Sequence, residues 1–324
     1  MNVGPRRLIG CIAVLIASTA FHHVRAATQI PLPKMVFVRQ GSLWIWEQPG
    51  REKRLTQGFQ DANPTVSPDG KTVVFERRVP SRHDGILGKL SSQLWLLRLD
   101  SGDSHRLLRA PGDCLTPSFD PKGKVVYFDH VWDYKPRNHQ LAHWRESIGV
   151  VDVASKRWRD LAPLTRQVVE YQERQYAFPV AGPCGGSIIW SPVPHEGGVA
   201  YIYAAGTDGT GRRVISGPRR RRSEADHSYY FASPSRAATD LVCLRGGEEY
   251  GAITSIDCAG REIWRTTIPG LVEYSHPPAA AQTGVIAFEH SDNNRKEIWV
   301  LDPGDKTNRK IVADASQPAW VPRS

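Results

Sequence analysis

A chain of 324 residues with 28 glycines, 24 prolines and 23% charged residues is neither a disordered polymer nor a collagen-like one. Glycine and proline recur along its whole length, which disfavours a bundle of long helices. Ten tryptophans, ten tyrosines and nine phenylalanines against two methionines suit packed sheets, and a formal charge of +9 marks a basic, soluble surface.

Residues 1–26 read as a signal peptide. Arg6 and Arg7 precede an apolar run of 14 residues from Leu8 to Phe21, and Val24-Arg25-Ala26 offers a cleavage site after Ala26. Fourteen apolar residues are too few to span a bilayer. Cleavage removes Arg6, Arg7 and Arg25, so the formal charge falls from +9 to +6. The remaining domain, 27–324, keeps Cys114, Cys184, Cys243 and Cys258. An even count in an exported protein permits two disulfides in three pairings, with free buried thiols as the alternative.

From residue 35 onward the chain repeats a short grammar. Pro64-Thr65-Val66-Ser67-Pro68-Asp69-Gly70-Lys71 leads into Thr72-Val73-Val74-Phe75, and Pro117-Ser118-Phe119-Asp120-Pro121-Lys122-Gly123-Lys124 leads into Val125-Val126-Tyr127-Phe128. Further copies start at Pro179, Ala232, Pro278 and Pro318. The residues matching Ser67 fall at 67, 120, 182, 233, 281 and 321, at intervals of 40 to 62. Each copy continues into a second strand and an Asp/Gly turn, as in Leu94-Trp95-Leu96-Leu97 before Asp100-Ser101-Gly102 and Ile298-Trp299-Val300-Leu301 before Asp302-Pro303-Gly304. Short strands at this period are propeller blades. Met35–Val38, Leu43–Trp46 and Arg54–Thr56 read as strands B, C and D lacking an A strand, and Pro318–Val321 as an A strand lacking the rest. The fold expected is an all-β, six-bladed propeller of four-stranded antiparallel blades, closed by one blade shared between the termini.

The proline-to-SPDG turn, the aromatic-ended B strand and the Ile298-Trp299-Val300-Leu301-Asp302 run resemble the TolB-like β-propeller repeat, over roughly residues 35 to 324. The resemblance implies an envelope protein that binds partners. About eight residues separate the cleavage site from the first strand, so the resemblance extends to the propeller and not to TolB's additional N-terminal α/β domain.

Strand alternation puts the D–A and B–C connections on one face, where the longest insertions fall: Arg77–Gln93, Asp129–Ser147, Ala162–Ala177 and Gly217–Asp226. Loops on a rigid scaffold carry binding residues. That face is expected to present Arg219, Arg220, Arg221 and Arg222 together with Trp132, Tyr134 and Trp144, a chemistry suited to an acidic partner. Six positions before each anchor stand Asp61, Cys114, Tyr176, His227, Ser275 and Ala315, with His276 beside them, and these are expected to ring the channel mouth. No catalytic motif such as G-x-S-x-G or H-E-x-x-H occurs. The function expected is that of a periplasmic or secreted module binding an envelope protein or an acidic saccharide, without cofactor, nucleic acid or transmembrane segment. A lyase or hydrolase on acidic saccharides, using channel-mouth histidines and a divalent metal, is the alternative.

Overall fold

The computed structural model describes residues 31–57, 60–85, 88–136, 142–169, 178–191, 200–216, 229–235, 239–246, 251–269, 276–292 and 295–323. The chain divides into two units, 1–31 and 32–324, and every described residue except Pro31 belongs to the second. That unit is a ring of six antiparallel blades. The A strands, which lie along the axis, are Gln60–Val66, Asp113–Phe119, Val180–Ala181, Tyr229–Pro234, Ala279–Ala280 and Ser316–Trp320. In the sixth blade Ser316–Trp320 pairs with Met35–Arg39, followed by Ser42–Gln48 and Arg51–Arg54. The shared blade expected from the orphan strands is therefore present. Among the described residues the one helical element is the 3-10 turn Ala162–Leu164, and no helix is long and apolar enough to cross a membrane.

The B strands carry the core. Phe37, Phe75, Phe128, Trp190 and Phe288 are fully buried. Aliphatic residues of neighbouring blades pack between the sheets, as Val74 and Leu94 do against Val126 and Phe128. Each such side chain contributes about 1.5–3 kcal/mol by leaving water. The A–B turns follow from their sequence: Gly70 and Gly123 sit at φ +70° and +68°, and Asp120 Oδ1 accepts from the Lys124 and Val125 amides at 2.7 and 2.8 Å. Glycine supplies the left-handed backbone and aspartate ties the turn shut.

Three features depart from the sequence expectation. The fourth blade's anchor is Ser235, whose amide donates to Asp240 O as Ser67 N does to Thr72 O; the motif Ser233-Pro234-Ser235 offers two serines, and pairing selects the second. The insertions Arg77–Gln93 and Asp129–Ser147 are not loops. Their flanks continue as the strands Thr72–Gly85, Gly88–Arg98, Val125–Pro136 and Ala142–Asp152, so the first two blades carry tall hairpins. Within 162–177, Arg166–Val169 pairs with the second hairpin and gives that sheet a fifth strand.

A bulge recurs in the A strands. Four positions before the anchor, Asn63, Thr116, Phe178, Phe231 and Gln317 all have φ between +47° and +55°. Non-glycine residues adopt that region at a cost of roughly 1 kcal/mol or more, so something must hold each one there. Neighbouring side chains do so for four of the five. Glu289 Oε2 accepts from the Gln317 amide at 3.2 Å, Gln317 Oε1 from that of Asn63 at 2.6 Å, Glu76 Oε1 from that of Thr116, and Thr116 Oγ1 from that of Phe178 at 3.1 Å. Glu76 also accepts from Asn63 Nδ2 and Ser92 Oγ. Truncating it leaves three donors unmatched, two of them buried, and Glu76→Ala is expected to lower unfolding stability by about 3 kcal/mol. A denaturant midpoint unchanged from wild type would show that the bulges hold themselves.

Candidate functional site

The bulge explains the prolines. The register slips between Ala62 and Thr65 and between Leu115 and Ser118, leaving two residues of each A strand out of the ladder. The second of the two is Pro64, Pro117, Pro179, Pro278 or Pro318 in five blades. Proline has no N–H to strand there, so it fits where any other residue would expose an unmatched donor. Four residues further on, Pro68, Pro121 and Pro183 open A–B turns, and Pro322 follows the last A strand at the matching position.

These two tiers of rigid rings line a cavity of about 660 Å³ on the propeller axis, to which all six blades contribute. The cavity runs from the bulge residues Asn63, Thr116 and Phe178 out to the A–B turns. It therefore faces the side opposite the D–A and B–C loops. Its inner end has two characters. Asn63 and Thr116 line a polar arc, backed by Gln317 through the hydrogen bonds above. Phe178 and His276 line an aromatic one with Phe231 buried behind it, Phe178 meeting the two other rings edge to face with centroids 4.9 and 5.5 Å apart. His276 Nδ1 lies 3.0 Å from Pro277 O. A carbonyl only accepts, so the ring is protonated on Nδ1 and bare on Nε2. Burial lowers the His276 pKa to about 4, leaving the ring neutral at physiological pH.

Most other expected site residues hold the scaffold. Asp61 is buried and accepts from Arg77 Nε and Nη2 at 2.7 and 3.0 Å, while Arg77 lies 5.0 and 4.6 Å from the ring centroids of Phe75 and Trp95. Both side chains are buried. Cys114 does not line the channel mouth: its side chain is fully buried among Val74, Leu94 and Phe128, and burial pushes its thiol well above the ordinary range. Trp132 stacks on His130 at 4.5 Å. Trp144 is buried against Leu115 and Val131 with Tyr134 stacked beside it at 6.4 Å, so these rings brace the second hairpin. Ala315 is buried in the core. With the anchor at Ser235, the matching fourth-blade position is the buried Tyr229 rather than His227. Tyr176, His227, Ser275, Arg219, Arg220, Arg221 and Arg222 lie outside the described residues.

A second recurring device lies in the B strands, where Phe75-Glu76-Arg77, Phe128-Asp129-His130 and Phe288-Glu289-His290 occupy one position. The acids Glu76 and Glu289 hold the next blade's bulge. Two of the bases hold the connection that feeds their own A strand, His130 Nε2 donating to Pro111 O at 2.7 Å and His290 Nε2 to Pro269 O at 3.2 Å, while Arg77 holds Asp61 within its A strand. Arg39, which follows no acid, makes the same kind of tie from Nη2 to Ala313 O at 3.0 Å. Aromatic–acid–base was a readable sequence signal for both ties.

One disulfide, Cys184–Cys258, joins the third blade's A–B turn to the fourth blade's C–D turn beside the cavity, and Cys114 and Cys243 are free and buried. Among the described residues no three His, Cys, Asp or Glu side chains gather to hold a metal ion.

No family model matches the chain. A stretch of 106 residues is 31% identical to the Tol-Pal system protein TolB of Nitratidesulfovibrio vulgaris, covering 32% of this chain and 18% of that protein. Among solved structures, TolB from Acinetobacter baumannii superposes with a TM-score of 0.64 at 14% identity, over 90% of this chain and 67% of that one. An oligogalacturonate lyase in complex with manganese superposes with a TM-score of 0.55 at 13% identity, over 84% and 70%. Sequence repeat, blade topology and superposition agree: the chain folds as a TolB-like six-bladed β-propeller.

Proposed function

We propose that this propeller is a binding module of the cell envelope that takes an apolar, ring-bearing segment of a partner protein into its axial cavity. The observation that carries the proposal is the cavity itself, built from every blade and walled by two tiers of proline. Rigid prolyl C–H surfaces lose no side-chain entropy on binding and complement the negative face of an aromatic ring. The basic run Arg219–Arg222 serves as a second, steering element for an acidic region of the partner. Export is supported by the composition of residues 1–26 and by a disulfide, which persists in oxidising compartments.

A photo-crosslinking amino acid at Ser118, a half-buried wall position, is expected to capture a protein in cells. The same group at Val214, exposed on an outer strand, is expected to capture nothing comparable. Equal capture at both positions would overturn the cavity as the binding site. The exported protein is expected to begin at Ala27, which mass spectrometry of the periplasmic fraction measures. An intact Met1 there would refute processing.

A further inference from the structure

The inner end of the cavity is chemically asymmetric, and the asymmetry selects a ligand. On the polar arc, Asn63 Nδ2 donates to Glu76, Gln317 Oε1 accepts from the Asn63 amide, and Thr116 Oγ1 accepts from the Phe178 amide. These atoms are engaged in holding the bulges. On the aromatic arc, His276 lines the cavity with Nδ1–H spent on Pro277 O, and among the described residues no group occupies its Nε2. Phe178 packs on the imidazole edge to face, at an interplanar angle of 83°, which fixes the ring's position. A bare imidazole nitrogen at the end of an apolar pocket is a hydrogen-bond acceptor waiting for a donor. An apolar ligand that reaches it without one leaves a desolvated lone pair unmatched. A ring carrying a single N–H or O–H at its edge meets both demands, by stacking on the proline tiers and donating at its tip.

We propose that His276 Nε2 is the specificity-determining acceptor of the cavity, and that it selects the indole or phenol ring of a partner's Trp or Tyr over a Phe. The proposal rests on the cavity being the binding site. Because the imidazole stays neutral, with a pKa near 4, the selection holds from pH 8 down to about pH 5.5, well above the point at which the nitrogen would take a proton. One neutral hydrogen bond gained against water is worth on the order of tenfold in affinity.

The test compares indole with benzothiophene, a ring of the same shape without the N–H, by ligand-observed NMR titration of the mature protein. Wild type is expected to bind indole about tenfold more tightly than benzothiophene, with the ratio unchanged between pH 8 and 5.5. In His276→Phe the ratio is expected to fall to about one, with benzothiophene affinity within twofold of wild type. His276→Gln, which restores an acceptor, is expected to recover part of the preference. A measurement on wild type alone keeps the test independent of how the variants fold: the ¹⁵N resonance of His276 Nε2 is expected to shift with indole and not with benzothiophene. If both probes bind wild type equally, or His276→Phe keeps the preference, the role of His276 is refuted while the cavity stands. If neither probe binds, the cavity reading itself fails, and this inference with it.

Discussion

Replacing Cys184 and Cys258 together with serine is expected to lower unfolding stability by about 4 kcal/mol. The bridge closes a loop of 74 residues, and in the chain-entropy account a loop of that length frees roughly this much when opened. In a domain of this size the loss corresponds to a melting temperature lower by roughly 6–8 °C. The bridged turns are also held by Arg213 Nη1 donating to Cys258 O at 3.4 Å, so the native blades should stay in register and the circular dichroism spectrum should not change. Calorimetry of the reduced and oxidised wild type provides the control. A double variant melting within 1–2 °C of wild type, well inside the effect calculated from loop closure, would mean that the third and fourth blades are already locked together without the bridge.

Trp320→Ala is expected to cost about 3–5 kcal/mol. Trp320 is buried in the cluster formed with Met35, Phe37 and Ile298, and its Nε1 donates to Ala279 O at 2.9 Å, joining the fifth and sixth blades. Removing the ring leaves a cavity at the seam where the two ends of the chain meet, and an acceptor without its partner. Deleting residues 317–324 should go further, because Met35–Arg39 then loses the strand that covers its inner edge. Urea titration followed by tryptophan fluorescence measures both variants. A truncated protein with the wild-type midpoint would refute closure through the shared blade.

Much of this architecture was legible in the residues because its signals are local. The Ser67-Pro68-Asp69-Gly70 turn needs only glycine at a left-handed position and an aspartate to fold back on the backbone, and both are visible in the letters. The pairs Pro64/Pro68, Pro117/Pro121, Pro179/Pro183 and Pro318/Pro322 were equally visible, yet their meaning required knowing that a bulge lay just before the first of each. Bulge conformation is nearly silent in sequence: Asn63 suits a positive φ, whereas Phe178 adopts it with its amide held by Thr116 of the neighbouring blade. The tall hairpins were hidden for a similar reason. Arg77–Gln93 is polar and lacks alternation, and it pairs because its two flanks are already antiparallel neighbours below. For the candidate site, Asp61 and Arg77 looked available as separate letters, and proximity turned them into a buried pair. His276 was placed at the channel on spacing alone, and its bare nitrogen became apparent only once Pro277 O was seen to occupy the other.

The pairing of Met35 with Trp320 also dictates the order of events during synthesis. A ribosome delivers Met35–Gln48 near the start and Ser316–Trp320 near the end, so the sixth blade stays three-stranded and open-edged while the other five take shape. Closing it means bringing together residues 285 positions apart, the slowest kind of contact for a chain to find. Until then Met35, Phe37 and Trp46, all buried in the finished ring, lack their cover and invite other chains. Under the export proposed above, the same delay would keep the chain loose enough to thread a narrow translocation pore until its last strand arrives.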